Sequence, residues 1–182
     1  MRIPLTLLSL FSSTTLFTTN IVQNGNFATG DFTGWTLFGD DSQFGVTTFD
    51  GSHAADLFTS GLDVGFIEQV LPTTTGATYA VNFSLGWSGI LTPDFVFSFS
   101  IGGTNLLTQT TPLPMQGILF PFSYTYTAVS SSDAIDALVN ESAPSWFLTN
   151  VSVVLTTPPP PPPPPPTIKN GSTPQAVVFS SS

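Results

Sequence analysis

Acid–base chemistry in this chain rests on eleven carboxylates and a single histidine, His53; there is no cysteine, and Arg2 and Lys169 are the only cations, with every carboxylate between them. Hydrolysis by two carboxyl groups needs an acid and a base about 5 to 9.5 Å apart. The candidates are Asp31, Asp40, Asp41, Asp50, Asp56, Asp63, Glu68 and Asp94, most of which stand beside Gly, Ser or Thr, as turn residues do. His53 could join a Ser-His-Asp arrangement with Asp56, but no Gly-x-Ser-x-Gly elbow is present and His53 opens a predicted strand. Zinc would need further His or Cys ligands, which the sequence lacks. The densest acidic stretch holds Asp31, Asp40, Asp41 and Asp50, at spacings of nine or ten residues unlike an EF-hand loop. Asp31, Asp40 and Asp41 are therefore weak calcium candidates. The reactive residues predict neither an enzyme nor a resident cofactor.

Binding chemistry is better represented. Sugar-binding surfaces stack the apolar face of a pyranose on an exposed aromatic ring, while amides and carboxylates read its hydroxyls. Trp87, in Gly86-Trp87-Ser88-Gly89, follows a predicted strand and sits between glycines, where a loop would expose it. Trp87 and Asp94 are the predicted ligand residues. Trp35, Trp146, Tyr124 and Tyr126 share motifs or faces with other apolar side chains and are predicted to lie in the core.

Charge narrows the partners further. Only 7% of the 182 residues are charged, against about 25% in ordinary globular proteins. Nucleic-acid binding requires cations against phosphates, and so do attraction to anionic lipid and phosphate binding by a Lys or Arg clamp. A formal net charge of −9 leaves uncharged ligands such as sugars, or divalent cations. A chain that is 41% hydrophobic and 13% aromatic can bury a core, and a sandwich of about 135 residues is stable on its core without disulfides.

The elements that must position these residues are strands. Period-2 runs separated by turn signals predict strands at 21–23, 35–38, 44–48, 53–58, 65–71, 78–86, 95–101, 106–109, 118–127, 134–139 and 146–155. Phe95, Phe97, Phe99 and Ile101 fall on one face, as do Tyr79, Val81, Phe83 and Leu85, and Phe120, Phe122, Tyr124 and Tyr126. No long segment sustains a helical period. Many short strands with regular turns predict an all-β sandwich or barrel. Asn-x-Ser sequons stand at Asn82, Asn140, Asn150 and Asn170, and Asn82 and Asn150 fall inside predicted strands.

The segment Asn24-Gly25-Asn26-Phe27-Ala28-Thr29-Gly30-Asp31-Phe32-Thr33-Gly34-Trp35 combines turn-forming Gly and Asx residues with three aromatics that can pin those turns to a core. Together with Ile67-Glu68-Gln69-Val70-Leu71-Pro72-Thr73, Gly76-Ala77-Thr78-Tyr79, Phe99-Ser100-Ile101-Gly102-Gly103-Thr104 and Trp146-Phe147-Leu148-Thr149-Asn150-Val151-Ser152-Val153, it resembles secreted carbohydrate-binding, galactose-binding-like jelly rolls of the kind found in bacterial PEP-CTERM-type exported proteins. The resemblance spans residues 20 to 155 and implies a two-sheet antiparallel jelly-roll sandwich. It also implies a structural calcium held by acids on the first and last strands. This chain departs there: Ala28 stands where the family often has Glu, and Thr149-Asn150 where it often has Asp-Asp. The PEP-CTERM sorting signal has no counterpart in this sequence.

Residues 1–19 read as a secretory signal, with Arg2 ahead of a short apolar run. That run is shorter than the ~20 residues of a bilayer span, so no stable membrane span is expected. Residues 20–157 form the jelly roll. Residues 158–166 are nine consecutive prolines, a stiff polyproline spacer of about 28 Å at ~3.1 Å per residue. Residues 167–182 are a disordered tail or the stub of a further module. The leading expectation is a secreted, non-catalytic module binding glycan or extracellular matrix. The alternative is a structural surface or spacer module without a small ligand, and a remote hydrolase ranks last.

Overall fold

The structure is a computed structural model that describes residues 19–59, 63–90, 95–140 and 144–164. Ten strands are present: β1 (Thr36–Gly39), β2 (Gly45–Phe49), β3 (Ser52–Leu57), β4 (Val64–Leu71), β5 (Thr78–Ser88), β6 (Val96–Ile101), β7 (Thr104–Gln109), β8 (Phe120–Thr127), β9 (Asp133–Asn140) and β10 (Ser145–Thr157). They form two five-stranded sheets, ordered β1-β4-β9-β6-β7 and β2-β3-β10-β5-β8, and all pairings are antiparallel. This architecture is consistent with the jelly-roll sandwich predicted. The predicted strand at 21–23 is reduced to a single bridge between Asn20 and Val154. The proline run is described from Pro158 to Pro164 and is exposed. Residues 1–18 and 165–182, which include most of the predicted signal and the tail, lie outside the described residues.

Alternation decides which side chains fill the space between the sheets. Phe97, Phe99 and Ile101 of β6 are fully buried, and Phe95 just ahead of it is nearly so. Facing them from the other sheet are Tyr79, Val81, Phe83 and Leu85 of β5, and Phe83 stacks on Phe99 with ring centroids 4.2 Å apart. Phe120, Phe122 and Tyr124 pack against this core only partly buried. Their strand, β8, is the edge of its sheet, so one flank has no neighbour to cover it. Trp35 and Trp146 are core residues, as expected.

A polar network ties the two sheets together at one end. The Tyr126 hydroxyl, from β8, donates to Asp133 Oδ2 of β9 at 2.8 Å. Thr73 Oγ1 and the Val129 amide also donate to Asp133 Oδ2, and Ser130 Oγ donates to Oδ1 at 2.7 Å. Burial opposes charge on Asp133, but the hydrogen bonds from Ser130, Tyr126 and Thr73 outweigh it and hold the carboxyl below its ordinary value. Burial, then the bond to Asp133, pushes the Tyr126 phenol up to about 12.

Candidate functional site

Trp87 does not lie in a loop. Strand β5 runs on through Ser88 because β10 pairs with it to the end, Trp146 opposite Trp87 and Ser145 opposite Ser88. The alternation that sends Leu85 inward sends Trp87 inward too, leaving it 8% exposed. Its indole Nε1 donates to the Leu113 carbonyl at 3.1 Å. Gly86, which suggested a turn, serves close packing instead: a Cβ there would come within 2.5 Å of the Phe49 ring and 2.8 Å of the Ile118 carbonyl oxygen. The exposed Trp87 platform is thus corrected to a core residue. Asp94 lies outside the described residues.

The acidic residues are dispersed. Among the described residues, no group of three or more His, Cys, Asp or Glu side chains could hold a metal ion. Asp31 Oδ1 accepts bonds from Thr29 Oγ1 at 2.7 Å and from the Thr33 amide at 3.0 Å, and these bonds lower its pKa. They make Asp31 a turn-capping residue of the first loop. Asp40 and Asp41 follow β1, where Asp40 accepts from Ser42 Oγ and the Asp41 carbonyl closes a turn to Phe44. Asp50 turns the β2–β3 hairpin and accepts from the Leu119 amide at 3.0 Å. His53 is exposed, the second residue of β3.

The three neutral positions at which the chain departs from the family's acids do converge. Ala28, Thr149 and Asn150 line one cavity of about 210 Å³ with Asn26, Ser52 and His53. An adjoining cavity of about 360 Å³ is lined by Asn20, Asn24, Asn26 and Asn150, among others. None of the lining residues of either is a carboxylate.

The solvent side of the β1-β4-β9-β6-β7 sheet carries an arrangement that the sequence did not announce. Register places Thr36, Glu68, Asp136 and Ser100 in one row across four strands, and Phe38, Phe66, Leu138 and Ser98 in the next. Phe38 and Phe66 stack with centroids 4.8 Å apart and planes 15° from parallel, and Phe38 is 38% exposed. Val64 and Val70 on the same face are 45% and 58% exposed. Ser100 Oγ donates to Asp136 Oδ2 at 3.2 Å. Glu68 stands directly opposite Asp136; burial, then the neighbouring Asp136 charge, raises its pKa. Asn140, in the row with Val64 and Val96, keeps its side-chain oxygen buried without a hydrogen-bond partner. At the ends of β1 and β4 a depression of about 360 Å³ is lined by Gly39, Asp40, Asp63 and Val64. Apolar rings, hydroxyls and carboxylates therefore share one face.

Sequence reasoning missed Phe38 and Phe66. Val64-Gly65-Phe66-Ile67-Glu68-Gln69-Val70-Leu71 has apolar residues on both phases, so period alone does not say which face is wet. Inward Ile67 and Leu71, with Gln69 bonded to the first loop through Gln23 and Gly34, settle the phase and turn Phe66 outward.

The sequence matches no protein-family model and no curated protein. The fold is similar to solved structures at low identity. TmCBM61 in complex with beta-1,4-galactotriose superposes with a TM-score of 0.56 at 15% identity, covering 76% of this chain and 100% of that one. The enzymatically active domain of bacteriophage CBA120 tailspike protein 4 gives 0.54 at 14% identity, covering 75% of this chain and 21% of that one. A family 16 carbohydrate-binding module gives 0.50 at 13% identity, covering 74% of this chain and 99% of that one. At these identities the likeness concerns the fold: this chain has the jelly-roll architecture of known carbohydrate-binding modules.

Proposed function

We propose that this chain is a secreted, non-catalytic glycan-binding module whose ligand face is the solvent side of the β1-β4-β9-β6-β7 sheet. The observation that carries the proposal is the half-exposed Phe38–Phe66 stack, flanked by the Glu68–Asp136 row and by Thr36, Ser98 and Ser100. A pyranose C–H face buries apolar area against the rings, and carboxylates and hydroxyls in adjacent rows accept and donate to its hydroxyls. The near absence of cations suits a neutral polysaccharide and disfavours polyanions. The proline run after β10 is read as a stiff spacer.

The decisive experiment is a glycan array, followed by calorimetry on any hit, with wild type, Phe38→Ala and Phe66→Ala. Binding that weakens in both variants, while their melting shows them folded, supports the proposal. Binding that is undiminished in folded variants overturns the assignment of the face.

One observation favours the alternative of a structural surface module: the aromatic residue best placed by sequence to bind, Trp87, is instead core. A wild-type protein that binds no glycan on the array would favour that reading.

A further inference from the structure

Strand β3 pairs with β10 only at Leu57–Trp146, Asp56–Phe147 and Ala55–Leu148. Beyond Leu148 the ladder stops, because β10 bulges between Thr149 and Ser152. Asn150 takes a left-handed conformation there, at φ 55°. A bulge of this kind bends the strand and leaves groups on its neighbour without ladder partners. The His53 carbonyl is such a group. The same bulge admits the first loop: the Val151 amide donates to the Gly25 carbonyl at 2.8 Å, and the Val153 amide to Asn20 Oδ1 at 2.9 Å. The fit is tight enough that a Cβ on Gly25 would lie 2.1 Å from the Val151 carbonyl oxygen.

This junction is where the family resemblance implies calcium, and its residues do not fit one. Calcium takes six to eight oxygens, with carboxylates among them. The cavity offers Asn26, Ser52, His53, Thr149 and Asn150 around the methyl of Ala28, with no anionic group. Thr149, fully buried, already commits its hydroxyl: Oγ1 donates to the His53 carbonyl at 2.6 Å.

We infer that the junction of the first loop, β3 and β10 is a metal-free clasp, in which the Thr149 hydroxyl satisfies the His53 carbonyl and bridges the two strands in place of a cation. A part-buried carbonyl without a ladder partner calls for a donor or a cation, and a side chain on the bulge supplies the donor at no cost in desolvated charge. Fold stability is then independent of calcium and dependent on one hydroxyl.

The test is thermal melting of the full chain with excess calcium chloride and with excess EDTA. Wild type melts at the same temperature in both. Thr149→Val, of similar shape but without the donor, melts roughly 3–10 °C lower, and Thr149→Ser, which keeps the hydroxyl, recovers most of that loss. A wild-type melting temperature that rises with calcium or falls with EDTA overturns the clasp. So does a Thr149→Val protein as stable as wild type.

Discussion

The two sheets finish their solvent faces in different ways. On the β2-β3-β10-β5-β8 sheet the outward positions carry small hydroxyl and amide side chains that bond one another. Ser123 Oγ donates to Asn82 Oδ1 at 2.6 Å, Asn82 reaches Ser152 Oγ, and Thr78 meets Thr127. Its outward aromatics are closed off: Phe49, from the β2–β3 hairpin, lies flat on Phe147 with centroids 3.9 Å apart, and Phe147 is 7% exposed. The other sheet leaves Phe38, Val64 and Val70 in solvent. Each face leaves one buried acceptor without a partner, Asp56 Oδ1 on the first and Asn140 Oδ1 on the second; the difference lies in the rings, covered on the first face and half-exposed on the second. An exposed aromatic pair bordered by carboxylates and hydroxyls suits a ligand that is apolar on one side and polar at its rim, and only the second face has one.

That contrast can be broken most forcefully from the interior. Trp146→Ala, and to a lesser degree Trp87→Ala, should destabilise the fold by about 3–5 kcal/mol through lost burial and the cavity left behind, measured by urea denaturation. If Trp87→Ala left stability intact while abolishing glycan binding, the assignment of Trp87 to the core and of the ligand to the other face would both fail.

The bond between the sheets comes next. Tyr126→Phe should lower stability by about 1–3 kcal/mol, because it strips a donor from a buried carboxylate. The pH dependence has a definite sign. The Asp133 carboxyl is held below its ordinary 3.8, so its contribution is present above that value and lost as pH falls through the lowered pKa. Tyr126 is raised from 10 to about 12, so its contribution is present below pH 10 and lost as pH rises through 12. Melting curves of wild type and Tyr126→Phe across both windows should converge at the extremes; a constant gap at every pH would argue against the network.

Phe66→Ala sharpens the comparison of the faces directly. Glycan affinity should fall at least about tenfold, or ~1.4 kcal/mol, while Asn82→Ala on the other sheet should leave affinity unchanged. Equal losses from the two would erase the distinction. The smallest effect concerns Glu68, whose raised pKa places a protonated form closer to neutrality. Glu68→Gln should slightly raise the melting temperature at neutral pH, by removing repulsion with Asp136, and change nothing at a pH where Glu68 is already protonated; thermal scans at the two pH values test this.

Much of the scaffold could be read before the fold was known. The alternation in Phe97-Ser98-Phe99-Ser100-Ile101 and in Tyr79-Ala80-Val81-Asn82-Phe83-Ser84-Leu85 reports a half-buried strand directly, since one face of each meets the core. The loop from Asn24 to Trp35 was legible for a similar reason: Phe27 and Trp35 are buried and stacked with centroids 5.6 Å apart, and the partly buried Phe32 meets Phe27 edge-on. The site was harder to read. Gly86 looked like punctuation around Trp87, yet the glycine is there to admit the Phe49 ring from a strand nearly forty residues away.

The sequence by itself determined the class of structure, the near absence of cations, and the neutral residues at Ala28, Thr149 and Asn150. Those are properties of composition and local period, and they survive any register. Only the tertiary structure decided where β5 ends, which phase of β4 meets water, and which hydroxyl answers the His53 carbonyl. Each depends on the partner strand: β10 carries β5 through Trp87, the buried Ile67 and Leu71 turn Phe66 outward, and the bulge at Asn150 gives Thr149 its role. A one-residue change of register would exchange the two faces of any of these strands, so no local pattern could have fixed them.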